Sequence, residues 1–308
     1  MSPILLLFGG AIGLLALASA VARNLASRHG PTETITNLTA RINAWWAMVG
    51  LLGLAFLMGP LVTVLLFALA AGLCLREYLA VARAAADDRL ARLLAFGLVL
   101  PVQFGLVLWD WYGLMAVFVP VYVFFLLPLV MALDRGPDNV LSRVSGLQWG
   151  MLLTIYGLSH LPALGNLEYG GGAEPFLMIA WLVIVVQISD VAQYTWGKLA
   201  GRRKLAPGLS PSKTWEGLIG GIGTASLLGL ALHWLTPYGP FWAFGMALIA
   251  CAMGAGGGLA LSAIKRDRGV KDWGRLIAGH GGVMDRLDSL LFAAPIVFHL
   301  TRYFWSLT

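Results

Sequence analysis

The sequence predicts an all-α integral membrane protein, a polytopic bundle of about ten (nine to ten) transmembrane helices. Three observations predict it. Hydrophobic residues make up 59% of the 308 positions and charged residues only 12%, with a mean hydropathy of +0.80. A water-facing surface needs about 25% charged residues, so most of this surface faces something else. Apolar stretches approaching the roughly 17–20 residues needed to cross a bilayer recur ten times. Finally, all but one of the 21 Lys and Arg fall in connections on one side of that ten-span map.

The spans follow in order. Residues 3–22 open the chain as a retained span, because the stretch lacks the basic flank of a secretory signal. Residues 25–43 read as a polar connector or an interfacial helix. Stretches 44–59 and 61–76 are short and divided by Gly59–Pro60, so they form a hairpin or one broken helix. Next come 93–109 and then 113–133, where Pro120 and Pro128 should kink the helix. The remaining spans are 144–164, 175–197, 215–235, 241–264 and 287–305. The turns near Pro60, 110–113, 165–174 and 236–240 carry no Lys or Arg, and Arg302 is the single base on their side. By the positive-inside rule the basic side is cytoplasmic. The expected location is therefore the cell (inner) membrane, with the charged loops facing the cytoplasm. Residues 1–140 and 141–308 are the two parts of this map, the second carrying loops 198–214 and 265–286.

The same numbers exclude a disordered chain and a disulfide scaffold, since Cys74 and Cys251 both lie in apolar runs. The net charge of +6 follows membrane topology and does not imply a nucleic-acid partner. His160, His233 and His299 stand alone in or beside spans and read as packed or interfacial residues.

Polar chemistry is concentrated in two segments, 187–217 and 262–289. Asp285 and Asp288 are three apart at the start of a span, so a helix turns both carboxylates to one face. Such a pair suits Mg²⁺, which takes its remaining ligands from water and phosphate. Gly279, His280, Gly281 and Gly282 free backbone N–H groups beside that helix's N-terminus, a favourable place for an anion. Lys265, Arg266, Lys271 and Arg286 supply the positive field a polyphosphate requires. Asp190 lies inside a span about two turns from its charged end, which is costly for an ionised group without a partner. In the preceding loop, Ser210–Pro211 stops any helix, and Ser212, Lys213 and Thr214 offer hydroxyls and an ammonium. Glu216 is equally well explained as a helix N-terminal carboxylate.

These residues resemble the signature of the phosphatidate cytidylyltransferase (CDP-diacylglycerol synthase) family. Ser262, Lys265, Arg266, Lys271, Asp272, His280, Gly281, Gly282, Asp285, Arg286 and Asp288 match its long, irregular pattern. Asp190, Tyr194, Gly197, Ser210, Pro211, Lys213, Thr214, Trp215, Glu216 and Gly217 match two further stretches, so the resemblance covers about 185–305. Four positions depart from it. Gln193 stands for Ala and Ser212 for Lys. Gly258 and Leu261 stand where the family has two acids. The chain is thus identified as a divergent paralogue.

The resemblance implies condensation of CTP with phosphatidic acid, or a related lipid phosphate, to give CDP-diacylglycerol and pyrophosphate. It implies catalytic roles for Lys265, Arg266, Lys271, Asp272, His280 and Arg286. Substrate contacts fall to Asp190, Tyr194, Ser210, Lys213, Thr214, Ser262, Gly281 and Gly282. Mg²⁺ would be held by Asp285, Asp288 and Asp272, and the pattern leaves room for a second cation and for a homodimer. The departures at 258 and 261 set two alternatives beside this reading. One is a silent or altered paralogue that binds lipid; the other is a lipid or anion transporter.

Overall fold

The computed structural model describes residues 3–30, 32–82, 88–169, 174–276 and 281–306. Ten long helices fill almost all of it. α1 is Pro3–His29, α2 is Glu33–Met58 and α3 is Pro60–Ala82. α4 runs over Arg89–Leu108 and α5 over Tyr112–Arg135. α6 is built from Val140–Met151, Leu152–Tyr156 and Gly157–Ala163. α7 is Pro175–Leu199, α8 Trp215–Ala231, α9 Pro240–Asp267 and α10 Met284–Trp305. Among the described residues, seven of these (α1 to α5, α7 and α9) are long and apolar enough to cross a membrane on their own. α8 has 17 residues, and α10 carries Asp285, Arg286, Asp288 and Arg302.

Two boundaries differ from expectation. The connector expected at 25–43 is helical at both ends, because α1 continues to His29 and α2 begins at Glu33. The Thr32 side chain accepts from the Ile35 N–H and caps α2, so the polar run that hydropathy excludes belongs to the helix. Gly59, at φ +95°, then separates α2 from α3, and Pro60 takes the first helical position, where its missing N–H costs nothing.

The middle helices are irregular in a shared way. α4, α5 and α6 each contain a π-helical turn, at Ala95–Val99, Phe118–Val123 and Leu152–Tyr156. Pro120 lies inside the second of these. A proline cannot donate to the carbonyl one turn back, and the wider turn lets the helix continue past the gap. Pro128 lies further along α5.

One apolar core runs from Phe56 to Phe298 and crosses residue 140 without a break. α3, α6, α7 and α10 contribute most of its fully buried side chains, including Leu75, Leu147, Trp181 and Val297. His160 is a packed core residue; its Nδ1–H donates to the Tyr156 carbonyl at 2.7 Å. Between α7 and α8 the chain forms a small hairpin that the helical reading does not contain. β1 (Lys204–Ala206) pairs antiparallel with β2 (Ser210–Thr214). It places Lys213 at the penultimate position of β2, with Thr214 between it and α8.

The charge asymmetry carries an expectation about sidedness. With Cys74 and Cys251 replaced by Ala, cysteines at exposed Arg203 and Arg275 should react with an impermeant maleimide only from the cytoplasmic face. A cysteine at exposed Gly239 should react only from the other. Labelling of 203 and 239 from one side would remove the orientation.

Candidate active site

The site forms where α3, α7, α9, α10 and the hairpin meet. Its organising contact is one the sequence reading missed. Glu77, near the end of α3, accepts the Val283 N–H on Oε1 at 3.0 Å and the Met284 N–H on Oε2 at 2.9 Å. It thus caps α10 from 206 residues away in sequence. The first amides of a helix lack internal partners and carry partial positive charge, so a carboxylate there is favoured twice over. The only sequence signal was a single acid in a basic flank, next to Arg76.

That carboxylate explains two glycines. A Cβ added at Gly282 or at Gly274 would collide with the Glu77 carboxyl oxygens. Gly281, at φ +81°, occupies the left-handed region that favours glycine, and a side chain there would meet Asp285 at 2.7 Å. The Gly282 N–H donates to Asp285 Oδ2 at 3.0 Å. Three successive amides, 282 to 284, are therefore taken by the protein's own carboxylates; of the Gly279–Gly282 turn expected to hold an anion, Gly279 and His280 lie outside the described residues.

Asp285 and Asp288, expected as a metal pair, have different partners. Asp285 Oδ1 accepts from Lys265 Nζ at 2.9 Å, and Oδ2 accepts the Trp273 N–H at 2.8 Å as well as that of Gly282. With side chains 12% and 6% exposed, Lys265 and Asp285 form a buried ion pair. The Lys265 ammonium also lies 6.0 Å above the Trp273 ring, which stacks on Tyr78 of α3 at 5.5 Å. Asp288 instead pairs with Asp190. The Ser289 hydroxyl donates to Asp190 Oδ2 at 2.8 Å, and the Ser289 N–H to Asp288 Oδ1 at 2.8 Å. One serine thus bridges two carboxylates from different helices. Lys213 and Arg286 are within charge–charge range of Asp190, and Lys213 and Lys265 of Asp288. Among the described residues Arg286 Nε is buried with no hydrogen-bond partner, and the Arg286 carbonyl accepts from Gln187 at 2.7 Å.

The remaining candidates are placed as follows. Arg266 donates to the carbonyls of Leu209 and Val270, pinning the hairpin to the end of α9. Lys271 and Asp272 are exposed on the loop, and Asp272 Cβ comes within 3.4 Å of a Cβ built at Gly281. Thr214 is buried and caps α8 through the Gly217 N–H. Ser210 is half-buried in β2 opposite Ala206, and Ser262 donates to the Gly258 carbonyl. Glu216 accepts the amides of Arg202 and Arg203, so its role is to fasten the loop. Tyr194 does not join the group; it is 62% exposed beneath Lys198. His280 lies outside the described residues. Among the described residues no three His, Cys, Asp or Glu converge as a ready metal cage. Two carboxylates and a serine hydroxyl nevertheless fit a hard divalent cation that keeps water and phosphate ligands.

At the departure from the resembled pattern, a Cβ built at Gly258 lies 3.3 Å from Lys213 Nζ and 3.9 Å from Ser289 Oγ. Leu261 is fully buried. An ammonium has come up to the ground a carboxylate would use.

Two outcomes follow from this geometry. Glu77→Ala strips a charged acceptor from two buried amides, and should cost about 2–3 kcal/mol in thermal unfolding and alter the Trp273 environment. Unchanged stability would mean that the cap is unimportant. Gly258→Asp should fold, because its carboxylate meets Lys213, and should shift the divalent-cation optimum of activity; an unaltered cation response would show that position 258 is not part of the site.

The cytidylyltransferase family model matches residues 39–304. The chain is 36% identical over 294 residues to the uncharacterized protein YnbB of Escherichia coli K12, covering 94% of this chain and 95% of that one. It is 37% identical over 131 residues to a phosphatidate cytidylyltransferase of Staphylococcus aureus, covering 42% of this chain and 50% of that enzyme. It is 43% identical over 130 residues to a phosphatidate cytidylyltransferase of Brucella suis, covering 41% and 48%. The chain matches only about half the length of these two enzymes. With a family match running from α2 to α10 and a relative aligned almost end to end, the chain belongs to the cytidylyltransferase family.

Proposed function

We propose that the protein joins the CMP moiety of CTP to phosphatidic acid or a related lipid phosphate, releasing pyrophosphate, at the cytoplasmic surface of the membrane. The observation that carries this reading is the Asp190–Ser289–Asp288 bridge with Lys213, Lys265 and Arg286 around it. It combines seats for a divalent cation and for a polyphosphate in one place.

In the reaction, an oxygen of the lipid phosphomonoester attacks the α-phosphorus of CTP. The bond from that phosphorus to the oxygen bridging to the β-phosphate breaks, and pyrophosphate leaves with the electron pair. The attacking oxygen is already anionic, so the chain supplies no covalent nucleophile and no general base. Asp190 and Asp288 would hold Mg²⁺, which would supply neutralisation of the phosphate charge. Lys213 and Arg286 bind the triphosphate, and the unpartnered Arg286 Nε gains an acceptor. Lys265, fixed by Asp285 and Trp273, presents its ammonium to the leaving group. Lys271, exposed on the loop, adds positive charge for the triphosphate, and Asp272 stands beside Gly281 near Asp285.

A second reading is a paralogue that binds CTP or lipid without transfer. It is favoured by the glycine at 258 and the buried leucine at 261.

Purified protein given radiolabelled CTP and phosphatidic acid, then other phospholipids, separates the two. Label in lipid supports transfer, while CTP binding without label supports the second reading. Within the transfer reading, Asp190→Asn and Asp288→Asn should each lower divalent-dependent turnover by orders of magnitude while the fold survives. Asp285→Asn should act chiefly on stability, by about 3 kcal/mol, because it leaves the Lys265 ammonium buried without its partner. Normal turnover in Asp288→Asn would remove it from the metal seat.

A further inference from the structure

Two histidines that stand alone in the sequence meet in the structure. His160 of α6 and His299 of α10 have ring centroids 5.0 Å apart, with Tyr112, Tyr156 and Phe298 packed around them. This cluster is remote from the charged one. Between residue 288 and residue 299 α10 rises about 16 Å, at about 1.5 Å per residue. It lies at the end of the bundle where α5 begins, at Tyr112, and α10 finishes, at Trp305. Tyr112 and His299 are half-buried there, and His160 is fully buried beneath them.

Aromatic packing explains why the rings gather, but not how their nitrogens are arranged. His160 donates its Nδ1–H to the Tyr156 carbonyl at 2.7 Å, so its Nε2 is a bare acceptor. Among the described residues that Nε2 is buried with no hydrogen-bond partner. His299 is flanked by two phenols. Tyr112 Oη lies 3.5 Å from its Nδ1, and Tyr156 Oη lies 3.4 Å from its Nε2. Good hydrogen bonds of this kind close to about 2.8–3.0 Å, so both contacts are loose. With Nδ1–H turned to Tyr112, His299 also presents a bare Nε2. An imidazole that ligates a metal is held in this way, with its other N–H on an oxygen.

The dimensions agree. Zinc bonds of about 2.0–2.1 Å in a tetrahedron put neighbouring donor atoms about 3.3–3.4 Å apart, and the centres of two bound imidazoles about 5 Å apart. The structure has 3.4 Å from Tyr156 Oη to His299 Nε2 and 5.0 Å between the imidazoles.

We infer that His160 Nε2, His299 Nε2 and Tyr156 Oη are three corners of a tetrahedral site for Zn²⁺, with water at the fourth. Imidazole and phenolate suit Zn²⁺ where carboxylates suit Mg²⁺, so the site is chemically distinct from the seat proposed at Asp190 and Asp288. On binding, Tyr156 gives its proton to solvent. The phenolate so formed offsets the charge of Arg302, whose guanidinium stands 3.9 Å from the Tyr112 ring centroid. The ion ties α6 to α10 at the end of the bundle away from the charged cluster, and its binding does not depend on the transfer reaction.

Full-length protein without an affinity tag, stripped with a chelator, should bind one Co²⁺ per chain and show the strong visible absorption of a tetrahedral ion. Zn²⁺ should displace the Co²⁺, and a large excess of Mg²⁺ should not. His160→Gln and His299→Gln should each weaken Co²⁺ binding about 100-fold. Tyr112→Phe, which removes only the oxygen behind His299, should weaken it about tenfold. Asp288→Asn and His233→Gln should bind as the unaltered protein does. Zn²⁺ should also raise the Tm of the unaltered protein and leave that of His299→Gln unchanged. Should His160→Gln fail to fold, His299→Gln, at a half-buried position, decides. Absence of the tetrahedral spectrum, displacement by Mg²⁺, or undiminished binding in folded His299→Gln overturns the site.

Discussion

A carboxylate against the bare end of a helix holds this structure together at its functional end. The first amides of α10 sit in a low-dielectric setting where an unpaired N–H is expensive. Glu77 satisfies two of them, and Asp285 a third. The rest follows from that grip. Gly274 and Gly282 are required by the closeness of the carboxylate, and Trp273 comes to rest on Tyr78. Lys265 is then fixed between the tryptophan ring and Asp285. α3, which looks from its sequence like hydrophobic ballast, is one wall of the site. A family match that begins at residue 39 is consistent with this.

The bundle was legible because the bilayer imposes one simple demand, unbroken apolar length with every backbone group paired inside the helix. Where a helix leaves the hydrocarbon the demand lapses, so the polar first turns of α2 were invisible to hydropathy. The hairpin was hidden for a different reason. Ser210-Pro211-Ser212-Lys213-Thr214 shows no alternation, and only pairing with Lys204–Ala206 makes it a strand. The site was legible as a set of residues and not as a set of partners. Spacing correctly puts Asp285 and Asp288 on the same helix, but it cannot say that one turns back to a loop while the other meets Asp190 through Ser289. Glu77 was beyond reach because its partners are backbone amides, which leave no mark in a side-chain pattern. Tyr194 shows the converse: it matches a motif and points to the outer surface.

The glycine at 258 changes the electrostatics of the site as much as its shape. A carboxylate there would sit against Lys213, and its absence leaves that ammonium facing Asp190 and Asp288. In the proposed reaction, a fixed cation beside two acids would supply part of the neutralisation that a second metal ion would otherwise bring. Unlike a metal ion, it cannot dissociate or exchange.

The three π-helical turns in α4, α5 and α6 have a geometric meaning beyond tolerance of proline. Each adds about one residue to a turn, so the helix beyond it is rotated by roughly a quarter of a revolution relative to an unbroken α-helix. The stripe of side chains facing the core therefore changes phase halfway across the membrane. In α6, Val144, Leu147 and Met151 are buried before the turn, and after it Gly157 to Ala163 are buried on every side. One continuous helix can thus present a lipid-facing side near one surface and a fully enclosed segment near the other, with no chain break exposed to the hydrocarbon.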